Sequence, residues 1–186
     1  MAAGINPLIT VNDLVAIPED GNRYELIEGQ IFCSGILDLS HQRVAGNILY
    51  FIWEFLRENP IGKVIMGPGL IFSEISSVIP DLVFFARERE KQITSDDYLV
   101  AAPELVIEVL SPGREHISRD RVAKRQLYAK HGVNEYWIVD SENRAVEIYR
   151  LTSEKLELAT MLRDQDEITS PLLPGFTCPL ANIFKQ

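Results

Sequence analysis

Two carboxylates stand in surroundings that ordinarily exclude charge. Glu108 is the one charged side chain in the run Leu105-Val106-Ile107-Glu108-Val109-Leu110, which otherwise reads as a strand buried on both faces. Desolvating a lone carboxylate costs on the order of several kcal/mol and drives it to protonate unless a cation, an ammonium or strong donors sit beside it. Asp81 opens a second apolar run, Leu82-Val83-Phe84-Phe85, directly after Pro80. If the two strands are neighbours, their backbones lie about 4.8 Å apart and both carboxylates can point into one site. Two anions that close raise each other's pKa unless a divalent ion neutralises them, and hard oxygen ligands without histidine or cysteine suit Mg²⁺ or Mn²⁺. Taken singly, each residue has a plainer reading: Asp81 caps a Pro-Asp turn, and Glu108 makes an internal ion pair.

Lys124 lies one turn from both Asp120 and Tyr128. An exposed i,i+4 salt bridge with Asp120 accounts for it; the functional alternative places its ammonium over the metal site. It belongs to the one dense basic segment, residues 114–130, where Arg114, Arg119, Arg121, Lys124, Arg125 and Lys130 meet only Glu115 and Asp120. His41 reads as a surface histidine that could also line a site through a helix N-terminus. His116 and His131 have no partners at ligand spacing. Cys33 and Cys178 are far apart, without Cys-x-x-Cys or Cys/His spacing, and read as two lone thiols. The clusters Phe51, Trp53, Phe55 and Tyr136, Trp137 have spacings that fit core packing better than base stacking. No phosphate-binding Gly-rich loop, dinucleotide fingerprint, Gly-x-Ser-x-Gly or His-Glu-x-x-His occurs, which lowers nucleotide hydrolases, dinucleotide enzymes, serine hydrolases and zinc proteases.

These residues need a scaffold, and the pattern supplies one. Thr10 and Asp13 form a variant capping box for a short helix closed by Pro18-Glu19-Asp20-Gly21. Arg23 to Ile27 and Gln30 to Cys33 flank a Glu28-Gly29 turn as a hairpin. Ser40 caps a helix to about Arg57, in which Val44, Ile48, Phe51, Ile52 and Phe55 form a core-facing stripe, and Asn59-Pro60 stops it. Strands follow at Lys63–Met66, Leu70–Phe72, Leu82–Ala86 and Leu105–Leu110, with Arg87 to Tyr98 as a polar surface connection holding one helical turn. A helix from Arg119 to His131 has Ser118 as N-cap and ends at Gly132. Strands at Glu135–Asp140, Val146–Leu151 and Leu156–Met161 come next, the last two joined by a polar turn at Thr152 to Lys155. The alternation predicts an α/β (α+β) fold, a mixed β-sheet flanked by helices.

At 186 residues the chain is expected to form one domain, residues 1–186, and 46% apolar with 24% charged residues is ordinary globular composition that excludes a disordered or disulfide-stapled protein. No run approaches the roughly 18 apolar residues of a membrane span, so no membrane partner is expected and the expected compartment is the cytoplasm. The formal net charge of -9 argues against loose, charge-driven coating of nucleic acid. Screening beyond about 8 Å still lets a local basic patch hold a phosphate backbone.

Pro80-Asp81, Glu108 in a second strand and a basic residue on a following helix resemble the PD-(D/E)XK nuclease superfamily. The whole chain is similar to the Uma-two-type family of restriction-endonuclease-like proteins, through Arg23-Tyr24-Glu25-Leu26-Ile27-Glu28-Gly29, Ser40-His41-Gln42, Pro80-Asp81-Leu82-Val83, residues 102–112, residues 124–133, Glu135-Tyr136-Trp137-Ile138-Val139-Asp140 and residues 170–176. The resemblance covers about residues 10 to 185. It implies a restriction-endonuclease-like core with an extra N-terminal hairpin and C-terminal strands. By it, Asp81 and Glu108 are metal-binding carboxylates, the Val109 carbonyl is a third ligand, Glu25 is a supporting acid, and His41 and Gln126 are supporting residues. The superfamily places lysine two residues after the glutamate; here that position is Leu110, so Lys124 is the candidate that orients or deprotonates water.

On this reading the chain is a Mg²⁺-dependent DNA endonuclease, with Mn²⁺ as a substitute ion and RNA as an alternative substrate. Arg114, Arg119, Arg121 and Arg125 are candidates for phosphate contacts. One site cuts one strand, so duplex cleavage is easiest for a homodimer. Two alternatives stay open: a catalytically idle nuclease-fold module that binds nucleic acid or regulates, and a structural protein in which Glu108 and Lys124 form a buried ion pair.

Overall fold

The computed structural model describes residues 8–17, 20–35, 38–111, 113–163 and 165–185. Pro18 and Glu19 of the expected turn, and the side chain of Arg114, lie outside the described residues.

The short helix α1 (Val11–Val15) opens with the expected cap, the Asp13 carboxylate accepting the Thr10 N–H at 2.8 Å. Strands β1 (Arg23–Ile27) and β2 (Gln30–Ser34) form the hairpin. Its two turn residues, Glu28 and Gly29, have φ of 51° and 77°, the left-handed pair that matches the twist of a two-residue hairpin. Helix α2 (Leu39–Glu58) follows. Its N-cap is Asp38 and not Ser40: the Asp38 carboxylate accepts the His41 N–H at 2.8 Å, which moves the start of the helix upstream and sets His41 in its first turn. Strands β3 (Gly62–Met66), β4 (Leu70–Ser73), β5 (Ser76–Val78) and β6 (Leu82–Ala86) come next. The polar connection contains a 3₁₀ turn (Arg87–Arg89), α3 (Glu90–Ile93), and the two-residue strands β7 (Thr94–Ser95) and β8 (Tyr98–Leu99).

Strand β9 (Leu105–Val109) leads into a helix longer than expected: α4 (Arg114–Ser118), a π-helical stretch (Arg119–Lys124) and α5 (Arg125–Lys130). Ser118 is therefore no N-cap; it sits inside the helix at φ -66° and ψ -40°. Gly132 ends the helix with φ 84°, as expected. Strands β10 (Glu135–Asp140), β11 (Ala145–Thr152) and β12 (Lys155–Arg163) precede a small pair, β13 (Glu167–Ser170) with β14 (Leu173–Pro179), and α6 (Leu180–Ile183).

Two six-stranded mixed sheets result, with orders β12-β11-β10-β9-β6-β3 and β2-β1-β5-β4-β8-β7. In the first, β9 and β10 are parallel and joined through α4 and α5, while β6 runs antiparallel to β9 with Leu82 opposite Ile107. That register sets Asp81 beside Glu108. One face of this sheet is mostly hydrocarbon: Leu82, Phe84, Leu105, Ile107, Val109, Trp137 and Val139 pack against Val44, Ile48, Ile52 and Leu56 of α2, and the buried Glu135 on it accepts the Trp137 indole N–H at 2.8 Å. On the other face Val83, Phe85, Val106 and Ile138 meet Leu127 and Tyr128 of α5 and Ile27, Leu70 and Val78 of the second sheet. Glu108 and Asp81, alternating with Ile107 and Leu82, belong to this second face. Among the described residues no helix is long and apolar enough to cross a membrane.

Candidate functional site

The edge of the second face, where the two sheets and the π-helical stretch meet, is a buried cluster of ions. Asp81 is fixed from both sides: His41 Nε2 lies 3.0 Å from Oδ1, and the Val109 N–H donates to Oδ2 at 2.8 Å. Its own carbonyl accepts the Gly67 N–H at 2.9 Å, which ties the start of β6 to the loop after β3. On the other side of the imidazole, Ser111 Oγ is 3.5 Å from Nδ1. The expected surface histidine is thus a buried clamp on Asp81, 3% exposed, because the Asp38 cap turns it inward.

Glu108 Oε1 accepts from Lys124 Nζ at 2.8 Å and from Tyr128 Oη at 2.7 Å, while no hydrogen bond from the described residues reaches Oε2. Glu25, on β1 of the second sheet, takes Lys124 Nζ at 2.9 Å and the Ile79 N–H at 2.8 Å on Oε1. Lys124 also lies 3.7 Å from Asp120. The exposed i,i+4 bridge expected of these two residues is instead a buried contact, both being 2% exposed. In a π-helix the hydrogen bonds run from i to i+5, and the wider turn lets Arg119, Asp120 and Lys124 all face inward.

Charge decides what this cluster can do. Glu25, Asp81, Glu108 and Asp120 set four carboxylates against the permanent cations Lys124 and Arg119, with Arg23 also on the cavity wall. Burial would raise Glu25, but Lys124 and Arg119 hold it below the usual range. Burial likewise opposes ionisation of Asp81, and the His41 contact, the Val109 N–H and Lys124 outweigh it, leaving that carboxyl low. For Glu108 burial wins, aided by the charges of Asp81, Asp120 and Glu25 against Lys124, and its pKa is pushed up to about 8. Lys124 is held protonated: burial acts against the ammonium, and Glu108, Glu25 and Asp120 overcome it. Of the four acids, Glu108 is therefore the one that holds a proton longest as pH rises.

The donor set fits a small hard cation. The acids outnumber the permanent cations, Glu108 Oε2 is free of hydrogen bonds from the described residues, and the cavity among these groups is about 20 Å³, room for about one water or bare ion. Among the described residues no three His, Cys, Asp or Glu side chains are disposed to hold a metal by themselves.

The basic segment divides. Arg119 enters the cluster as an internal cation, donating to Asp120 Oδ1 at 3.0 Å and Ser34 Oγ at 2.6 Å. Arg121 donates to Glu147 at 2.6 Å, and the Arg125 guanidinium lies 5.0 Å from the centre of the Tyr149 ring. Gln126 lines a separate cleft of about 1020 Å³ between α5 and β12, with Lys130, His131 and Lys155. That cleft is far larger than the cavity among the buried carboxylates, so size does not mark the site. Arg23, Ser34, Ser111 and the acid Asp120 also line the small cavity. Of these only Asp120 left a sequence signal, its spacing of four from Lys124; the rest come from tertiary approach.

The sequence profile of the Uma2 family, described as "Putative restriction endonuclease", matches residues 11–181. No curated protein matches the chain. Among solved structures, a protein of Anabaena variabilis described as "a putative nuclease belonging to DUF820" superposes with a TM-score of 0.76 at 19% identity, covering 95% of this chain and 97% of that one.

Proposed function

The chain belongs to the Uma2 family, and from that premise we propose that it is a divalent-cation-dependent endonuclease that hydrolyses phosphodiester bonds in DNA. The observation that supports this reading is the buried pair Asp81 and Glu108, aligned across β6 and β9 in a cluster where acids outnumber permanent cations. Asp81, Glu108 and the Val109 carbonyl would hold the ion. When bound, a divalent cation supplies Lewis acidity toward a phosphoryl oxygen and toward water. His41 and the Val109 N–H fix the orientation of Asp81. Tyr128 and Lys124 occupy one oxygen of Glu108 and leave the other for the ion. Lys124, anchored by Glu25 and Asp120, sets a fixed ammonium beside the reacting phosphate, where it can orient water and stabilise developing negative charge.

The test is nicking of supercoiled plasmid in Mg²⁺ or Mn²⁺, with a structured RNA assayed alongside. The expected result is cation-dependent cleavage of DNA that falls at least about 100-fold in Asp81→Ala. Equal cleavage by both proteins overturns the assignment, and cleavage of RNA alone replaces the substrate. One observation favours a second reading, a nuclease-fold module whose site is idle: all three acids nearest Lys124 already engage its ammonium, which is 2% exposed. Binding of Mn²⁺ and DNA without cleavage by wild type selects that reading.

A further inference from the structure

The arginines expected to contact phosphate are already engaged. Arg119 lies inside the cluster on Asp120 and Ser34, Arg121 is held by Glu147 and Asp140, and the Arg125 guanidinium lies over the Tyr149 ring. Of these three, only Arg119 lines the cavity among the buried carboxylates. Lys124, the other cation placed there, is 2% exposed and shared by Glu25, Glu108 and Asp120. A phosphodiester approaching this cavity is an anion meeting Glu25, Asp81, Glu108 and Asp120, and it is best received by a cation at the mouth whose charge is uncommitted.

Arg23 meets that description. It opens β1 two residues before Glu25, and alternation along a strand sets both side chains on one face, the face that lines the cavity. Glu25 is buried and Arg23 half-buried, so β1 leads from the floor of the cavity toward solvent. Arg23 Nη2 donates to the Ile79 carbonyl at 2.9 Å, and among the described residues no carboxylate pairs with this guanidinium. A guanidinium carries five N–H donors in a planar fork that matches phosphate, so most of the fork remains for an anion.

The anchoring is local to the site. Glu25 accepts the Ile79 N–H at 2.8 Å, so β1 grips both backbone polar groups of the residue two positions before Asp81. Across the hairpin Arg23 stands opposite Ser34, whose hydroxyl holds Arg119. Bracing the Ile79 carbonyl needs one neutral donor; a full guanidinium on the cavity wall, unpaired with any described acid, is more than that task requires.

We propose that Arg23 is the phosphate-binding residue of this site, its fork taking the non-bridging oxygens of the phosphodiester that enters the cavity mouth. The inference rests on the nuclease reading and adds to it the residue that holds the substrate's charge.

The test is fluorescence anisotropy of a short labelled DNA duplex across a range of KCl. Ca²⁺ is present throughout, a hard cation whose longer bonds depart from the Mg²⁺ geometry, so that binding is read apart from cleavage. Wild type, Arg23→Gln and Arg23→Lys are compared, with circular dichroism to confirm folding; glutamine keeps a donor for the Ile79 carbonyl, and lysine keeps the charge as well. The expected result is a dissociation constant that rises about 10-fold in Arg23→Gln. The slope of log affinity against log salt falls by about 1 in that variant, while Arg23→Lys retains the wild-type slope. An unchanged slope in Arg23→Gln, with or without a loss of affinity, assigns Arg23 to bracing Ile79 and overturns this inference alone. A wild type that binds no DNA overturns it together with the nuclease reading.

Discussion

Neighbouring residues of β9 face two different interiors. Ile107 enters a face between the central sheet and α2 that is mostly hydrocarbon. Glu108, one residue on, enters a face where Lys124, Tyr128, Glu25, Asp81 and Asp120 surround it. The first face stabilises the fold by removing apolar surface from water. The second places four acids where their burial opposes folding unless each is compensated, and they outnumber the permanent cations around them. The polar face is where the proposed chemistry would sit.

Substitutions that remove one member from each face separate these roles. Lys124→Met has the largest expected effect. It leaves Glu25, Glu108 and Asp120 buried without their common cation and costs about 3–5 kcal/mol at neutral pH. Chemical denaturation checks this, and the loss should shrink as pH falls toward 5, where the carboxylates take up protons. Ile107→Ala, on the apolar face, should cost about 2–5 kcal/mol at every pH between 5 and 8, and the protein that remains folded should keep its cation response. If Lys124→Met were as insensitive to pH as Ile107→Ala, the two faces would not differ as described.

Intact protein without divalent cations should show the same contrast as a pH dependence. Glu108 is raised from its unfolded value to about 8, so the folded state holds a proton that the unfolded state releases between about 4.5 and 8. Stability from this group is fully present below the lower value and is lost as pH rises through the upper one. Glu25 and Asp81 are depressed, so their contribution is present above about 4 and is lost as pH falls below it. Thermal unfolding in chelator should therefore be most resistant near pH 5 and weaken toward pH 8. Added Mn²⁺ should remove that decline, since an ion replaces the proton. A flat profile from pH 5 to 8 in chelator contradicts the raised Glu108. The smallest effect belongs to the surface: Lys130 pairs with Glu28 at 2.9 Å with both side chains about half exposed, and Lys130→Ala should change stability by less than about 1 kcal/mol.

Much of the polar face is readable from sequence because burial makes charge conspicuous. A glutamate inside Leu105–Leu110 demands a partner, and an aspartate at the head of another apolar strand offers itself as the neighbour; the β6–β9 pairing depended on topology and the register supplies it. Lys124 was legible only as one of two alternatives, since its spacing from Asp120 suits a solvated bridge equally well. His41 and Arg119 were misjudged in environment because each is turned inward by a helical detail that residue spacing does not announce: the Asp38 cap and the π-helical stretch. Ser40 and Asp38 are both good capping residues two positions apart, and local pattern does not choose between them. The strands β5, β7 and β8 are two or three residues long, too short to show a period. Trp53 shows the opposite failure, an apolar repeat read as core on a helix with more apolar sides than the core covers.

The central claim is that Asp81 and Glu108 converge on one divalent cation, and calorimetric titration with Mn²⁺ at pH 7 addresses it most directly. The account predicts one ion per chain in the wild type, accompanied by release of the Glu108 proton, and loss of that binding heat in both Asp81→Asn and Glu108→Gln. Wild type that takes up no Mn²⁺, or variants that bind it as tightly as wild type, would contradict it.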